Sequence, residues 1–148
     1  MSELSFGFLH QADILERDVQ AIRSLLALLH AGKSRESVAT LEFVRENARQ
    51  NTVAVARNPE GVIVGTATLV VNVSNEGYWA WIEDVVVDTA YQGKGYGKKM
   101  MRMLHAHALE RGVDEIFLTS NQRRVAAHAL YKSLGYEPYD TTVLARRS

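Results

Sequence analysis

Between an apolar run and a basic one lies the segment Gln92-Gly93-Lys94-Gly95-Tyr96-Gly97, which most restricts how this chain can fold. Before it comes Ile82-Glu83-Asp84-Val85-Val86-Val87, largely β-branched as a strand prefers. After it, Lys98-Lys99-Met100-Met101-Arg102 opens a helical pattern. Three glycines at alternate positions permit positive φ and a close approach of backbone to a ligand. A helix starting directly behind them turns its free N–H groups, and the positive end of its dipole, into the loop. Such a strand–loop–helix joint binds phosphate groups. The segment 92–102 holds Lys94, Lys98, Lys99 and Arg102 and no acid, although the chain as a whole balances 17 basic against 17 acidic residues. Local basicity in a neutral chain points to one anionic ligand, not a polyanion spread over a surface.

Spacing discriminates among phosphate-binding loops. A Walker A loop needs four residues between its first glycine and its Gly-Lys pair, then Ser or Thr. Here three residues separate Gly93 from Gly97-Lys98, and Lys99 follows. A dinucleotide loop needs G-x-G-x-x-G, usually in the first βαβ unit, with an acid at the end of the next strand. This chain has G-x-G-x-G far into its length, and Asp114 and Glu115 precede the next strand-like run. The third pattern, Gln92-x-x-Gly95-x-Gly97, matches the Q/R-x-x-G-x-G/A loop of acyl-coenzyme A binding. Its neighbours agree: Leu118-Thr119-Ser120-Asn121, Ala127-His128-Ala129-Leu130-Tyr131 and Leu134-Gly135-Tyr136 follow in order. From Trp81 to Tyr136 the chain resembles the GNAT superfamily of N-acetyltransferases.

A length of 148 residues suits one domain, 1–148, with a sizeable core. Charge balance argues against a nucleic-acid or polybasic membrane partner. With no cysteine, disulfides, zinc–thiolate sites and thiol catalysis are excluded. The start, Met1-Ser2-Glu3-Leu4-Ser5-Phe6, lacks a basic region followed by an apolar run, and no stretch reaches membrane-spanning length, so a cytoplasmic protein is expected.

Periodicity predicts a strand over Leu4–Leu9 and a helix opened by an Asp13/Glu16 capping box, with Leu15, Val19, Ile22, Leu26 and Leu29 on one face and Gly32 ending it. A second helix, capped by Ser37 and reaching Arg49, would bury Leu41, Val44 and Ala48. Strands follow at Thr52–Arg57, Val62–Val71 and, after a polar loop (Asn72–Gly77), Tyr78–Val87. The helix behind the glycine loop turns Gly97, Met100, Met101, Leu104 and Ala108 to the core and stops at Gly112. A strand at Glu115–Thr119, a helix over Arg123–Leu134, and short strands at Tyr136–Tyr139 and Thr141–Arg146 complete the order β-α-α-β-β-β-α-β-α-β-β. The expected class is α/β: a mixed, mostly antiparallel sheet flanked by helices, which the resemblance makes the acyl-CoA N-acyltransferase fold. It further implies that the motif strand and the next one splay apart around a pantetheine arm.

Acetyl transfer to an amine needs a base for the ammonium, a donor for the thioester carbonyl and an acid for the departing thiolate. Glu83 is the candidate base, matching a position where the family often holds a carboxylate. Asp84 should face the other way by strand alternation, and a bulge would exchange the two. Tyr131 matches the family's general-acid position, although Ala127, Leu130, Tyr131 and Leu134 also form a helical core stripe. The resemblance assigns the backbone of Val85, Val86 and Val87 to the pantetheine, the run Gln92, Gly93, Lys94, Gly95, Tyr96, Gly97 and Lys98 to the pyrophosphate, and Asn121 to the coenzyme arm. Asn121 reads equally as a helix cap, and Lys94, Lys98 and Lys99 as a solvated face.

No metal is expected: His105 and His107 are two apart and cannot share a helix face as zinc ligands. His128 reads as packing or capping. Tyr78, Trp79 and Trp81 approach the candidate base and either line an acceptor pocket or pack on the sheet. The function implied is transfer from acetyl-CoA to a primary amine, small-molecule or peptide, by direct attack in a ternary complex; family members often dimerise, so a homodimer is admitted. Lys33 and Arg35, between the first two helices, would favour an acidic acceptor or belong to a solvated loop. The competing reading is a non-catalytic acyl-CoA sensor or partner-binding module.

Overall fold

Strand-forming runs pair in chain order. A computed structural model describes residues 3–30 and 39–148. It contains β1 (Ser5–Phe8), α1 (Glu16–Leu29), α2 (Leu41–Gln50), β2 (Thr52–Arg57), β3 (Ile63–Ser74), β4 (Gly77–Val87), α3 (Tyr96–Glu110), β5 (Val113–Phe117) and α4 (Val125–Ser133). The sheet order is β1-β2-β3-β4-β5. The first four strands are antiparallel, and β5 joins β4 in parallel after the α3 crossover.

Both faces of the sheet are covered. Residues Ile63 to Leu69 are therefore buried without a break, as in a central strand between two helical layers. On one face Met100, Met101 and Leu104 of α3 and Tyr131 of α4 pack against Ala54, Ala67, Ala80 and Ile82. On the other, Val19, Ile22 and Leu25 of α1 and Val44 of α2 pack against Val53, Val55 and Val86. Each fully buried Met or Leu in these layers contributes about 1.5–3 kcal/mol. Small residues at Ala54, Ala67 and Ala80 let the long methionines of α3 lie close to the sheet.

Several element ends differ from expectation. The first helix is opened by Asp18, which accepts the Leu15 N–H (2.9 Å), and not by an Asp13/Glu16 box. Asp13 instead closes a short 3-10 turn. The core stripe of α1 centres on Leu25, leaving Leu15 exposed. Thr40 caps α2 by accepting the Phe43 N–H, while the Gly32, Lys33, Arg35 and Ser37 expectations lie outside the described residues. Through residues 72–77 the chain continues as strand and turns tightly between Ser74 and Gly77, where a polar loop was expected.

Among the described residues the two closing strands, Tyr136–Tyr139 and Thr141–Arg146, do not form, and residues 137–148 are exposed. Tyr136 is claimed by α4 instead. Its N–H bonds the Tyr131 carbonyl and the Gly135 N–H bonds Lys132, with Gly135 at φ 90°. That is a Schellman ending, sealed by contact between the Tyr131 and Tyr136 rings, whose centroids lie 6.0 Å apart. Pro138 then removes a backbone donor from the segment that follows. No described helix is long and apolar enough to cross a membrane.

Asp18 also ties α1 to β2. It is 1% exposed, and its Oδ1 accepts Arg57 Nη1 at 2.8 Å, while the same Nη1 donates to the Gly61 carbonyl. Removing the carboxylate strands a half-desolvated guanidinium and the Leu15 N–H. Asp18→Ala should therefore lower stability by about 3 kcal/mol, read as a reduced urea midpoint with unchanged m-value. Adding Arg57→Met should recover part of that loss.

Candidate active site

Hydrogen bonding between β3 and β4 slips by one residue in the middle of β4. Thr66 faces Val86 and Thr68 faces Glu83, so Asp84 and Val85 together oppose Ala67. Asp84 takes a left-handed φ of 54° to absorb the extra residue. Without the slip, alternation would put Glu83, Val85 and Val87 on one face. With it, Val85 and Val87 join Ile82 against the α3 core, while Val86 joins the α1/α2 core. Glu83, paired with Thr68, stands on the α1/α2 face, where Asn47 of α2 bonds the Thr68 hydroxyl.

On its other edge β4 loses its partner. The β4–β5 ladder runs from Tyr78/Val113 to Trp81/Phe117 and stops there. From Ile82 onward, β4 pairs with β3 alone, and this is the splay that the family resemblance implied. The unpaired edge leads through a short 3-10 turn (Thr89–Tyr91) into the glycine loop. Gly93 and Gly95 have φ of 77° and 83°, and a Cβ on either would meet nothing within 4 Å, so their requirement is conformational.

Gly95 is the N-cap residue of α3 and offers no side-chain cap. The first N–H groups of that helix therefore remain available to a ligand. The loop is braced from behind. Gln92 Nε2 donates to the Val87 carbonyl at 2.8 Å, and the Tyr96 ring packs between Phe6 and Tyr91. Lys99 lies over the Phe6 ring, 4.2 Å from its centroid, and Lys94 lies 6.0 Å from that of Tyr91. Gly97 brings three elements together, since a Cβ there would sit 3.6 Å from Leu130 of α4 and 3.7 Å from Val87 of β4.

Next to Leu130, Tyr131 is buried in the α3-side core. Burial raises its phenol above the usual range, and the nearby Arg124 partly opposes the shift. Tyr136, behind it, is raised further by burial and by Tyr131, and its hydroxyl meets His105 Nε2 at 2.6 Å. Burial also lowers the His105 pKa, which favours the neutral imidazole beside the Tyr136 hydroxyl. That pairing is invisible in a histidine count, because it joins residues 31 apart in sequence.

Asn121 caps the approach to α4. Its Oδ1 accepts the Arg123 N–H and its carbonyl accepts the His128 ring, leaving the side-chain amide donors for another partner. His128 thus has the capping role expected of it. Ser120 was not singled out from the sequence, yet its Oγ is buried without any partner.

The carboxyl of Glu83 is perturbed. Although the residue is exposed by area, desolvation raises its pKa and the neighbouring Asp84 raises it further. Glu83 and Tyr131 belong to opposite faces of the sheet. A coenzyme fits these residues: an unpaired strand edge, an uncapped helix start behind positive-φ glycines, and an orphaned hydroxyl at the mouth of the splay all lack the partner it would bring. Among the described residues no group of His, Asp and Glu has metal-ligand geometry.

Comparison with known proteins adds an independent line. The model of the Acetyltransferase (GNAT) family matches residues 19–136. Glucosamine 6-phosphate N-acetyltransferase of Trypanosoma brucei brucei is 30% identical over 106 residues, covering 70% of each chain. A chloroplastic GCN5-related N-acetyltransferase of Arabidopsis thaliana is 30% identical over 119 residues, which span 78% of this chain but 44% of that protein. An aminoglycoside acetyltransferase from an uncultured soil metagenomic sample, solved with trehalose, superposes with a TM-score of 0.80 at 23% identity, covering 98% of this chain and 95% of its own. That last likeness is one of fold.

The raised Glu83 pKa has a thermodynamic consequence. A carboxyl raised on folding stabilises the fold fully below its unfolded pKa, and that contribution is lost as pH climbs through the folded value. Glu83→Gln, permanently neutral, should therefore melt higher than the parent protein at about pH 8, with the gap closing toward about pH 4. Thermal unfolding across that range checks the sign.

Proposed function

The chain belongs to the GNAT acetyltransferase family, and on that premise we propose that it moves the acetyl group of acetyl-CoA to a primary amine by direct attack in a ternary complex. The observation that carries this reading is the β4 edge, unpaired beyond Trp81 and running straight into the uncapped glycine loop. Residues 1–148 act as one N-acetyltransferase domain in this proposal. The acceptor is a small-molecule or peptide amine, and the reaction is assigned to the cytoplasm.

Acetyl-CoA supplies the activated carbonyl and a thiolate leaving group. The backbone of Val85, Val86 and Val87 offers its free edge to the pantetheine, as a strand would to another strand. Backbone N–H groups from Gln92 to Lys98 hold the pyrophosphate, aided by the helix dipole and by Lys98 and Lys94. Gln92 serves this loop from within, through its bond to Val87. Asn121 and Ser120 supply side-chain partners for the coenzyme arm.

Glu83 accepts a proton from the acceptor ammonium on the α1/α2 side, directly or through water. Its raised pKa makes it a stronger base than an ordinary carboxylate, which suits removal of an ammonium proton. Tyr131 donates a proton to sulfur from the α3/α4 side. Its raised pKa keeps the phenol protonated until the thiolate, a stronger base than a carbonyl or thioester, develops beside it.

The test is thiol release from acetyl-CoA across a panel of amines. Amine-dependent release is expected; tight coenzyme binding without any amine-dependent turnover would replace the enzyme with a sensor. Tyr131→Phe should lower kcat by about 100-fold while coenzyme affinity holds. Gly95→Ala, which forces a side chain onto a φ of 83°, should cost about 1–2 kcal/mol in loop conformation. It should weaken coenzyme binding and leave the fold intact by circular dichroism.

A further inference from the structure

Four aromatic side chains form a cluster that belongs to neither core. Trp79 and Trp81 of β4 lie 6.2 Å apart by ring centroid, Trp81 and Phe117 of β5 lie 5.4 Å apart, and Phe117 and Tyr139 lie 5.0 Å apart. None of the four is among the residues of the two hydrophobic clusters. Trp79, Trp81 and Phe117 are only half-buried, and Tyr139 is 64% exposed. An apolar surface of this kind, left outside the cores, marks a contact site for something else.

Register fixes where the cluster looks. Ala80 and Ile82 point into the α3 core, so Trp79, Trp81 and Glu83 stand on the opposite face. Phe117 is the parallel partner of Trp81 and shares that face. The Trp81/Phe117 rung is also the last one before the strands part, so the aromatic row ends where the splay begins. At that end stand two carboxylates, Glu83 and Asp84. Among the described residues the cation–ring contacts fall elsewhere, on Tyr91 and Phe6, and no Lys or Arg lies over any of these four rings.

We propose that this aromatic row is the acceptor subsite, and that it takes a cationic amine carried on a planar apolar body, an arylalkylamine, in preference to a phosphorylated amine. This rests on the acetyl-transfer reading above and names the class of its substrate. The rings offer stacking area and a negative face to an ammonium group. Glu83 and Asp84 attract the same charge at the end where the splay opens. A phosphate in this position would meet two carboxylates and, among the described residues, no cation over the rings of the row.

The protein reports on this patch by itself, because its 2 tryptophans are Trp79 and Trp81. Titration with phenylethylamine should change the intrinsic fluorescence saturably, and glucosamine 6-phosphate should not. In steady-state assays Trp81→Ala should raise the phenylethylamine KM by about 10-fold with the acetyl-CoA KM unmoved, and Trp81→Phe should restore most of the loss. Fluorescence binding of phenylethylamine without acetyl transfer would support the patch and overturn the catalytic reading. Acetyl transfer that prefers glucosamine 6-phosphate, or is indifferent to Trp81→Ala, would overturn the patch and leave the catalytic reading intact. A tryptophan signal that follows protein concentration and dimerisation by sedimentation, but not amine, would assign the row to a second copy of the chain and overturn the proposal.

Discussion

One misfit in the β3–β4 ladder decides what the rest of β4 can do. Placing Asp84 and Val85 opposite Ala67 alone lets Glu83 and Val86 share one face while Ile82, Val85 and Val87 share the other. Asp84 bears the conformational cost, at a φ of 54° that costs a non-glycine residue roughly 1–2 kcal/mol. Val86 on one side and Val85 and Val87 on the other are packed into separate cores, and a register without the bulge would reverse all three. The strain therefore persists because the packing on both faces requires it. Its effect is to leave a carboxylate outside the cores at the point where β4 and β5 separate.

The same logic of withheld partners continues along the chain. A strand edge with no neighbour, a helix start with no side-chain cap and a buried hydroxyl with no acceptor are each unfavourable in an isolated protein. A Ser, Thr or Asp at the helix cap outdoes Ala by about 1 kcal/mol but Gly by only a few tenths, so Gly95 leaves the first N–H groups without a side-chain cap at small cost. Among the described residues other buried polar groups are bonded closely, as Asp18 and Arg57 illustrate. An unpaired edge, an uncapped helix start and an orphaned hydroxyl are each what a site for an extended, hydrogen-bonding coenzyme requires.

Much of this was legible in the residues because local rules and global packing agree there. The glycine spacing, the β-branched run before it and the Met100, Met101, Leu104 and Ala108 stripe behind it each obey their own periodicity, and β2 came out at its expected bounds, Thr52–Arg57. The misses arise where a tertiary contact outweighs a local preference. Thr141–Arg146 has strand chemistry, but the Schellman turn at Gly135 commits Tyr136 to α4 and Pro138 removes a backbone donor ahead of it. Asp18, not Asp13, opens α1 because it alone can serve both Leu15 and Arg57. The bulge was foreseen only as an alternative, since period-two alternation carries no mark of where a ladder slips. His105 and Ser120 depend on partners, present or missing, that no motif of adjacent residues encodes.

Glu83 and Tyr131 lie on opposite sides of a sheet that is otherwise closed by two packed layers. In an unbroken sheet such an arrangement would forbid cooperation, since nothing passes between hydrogen-bonded strands. The loss of pairing beyond Trp81/Phe117 opens the sheet between β4 and β5, and the proposed reaction uses that gap to bring both to a single molecule. In the proposed reaction that arrangement would separate the two proton transfers in space, with the amine on the face of Glu83 and the sulfur on the face of Tyr131. Tyr131 is backed by the ring of Tyr136, itself hydrogen-bonded to His105. In that proposal the buried Tyr131 side would fix the donor, and the exposed Glu83 side would admit the acceptor.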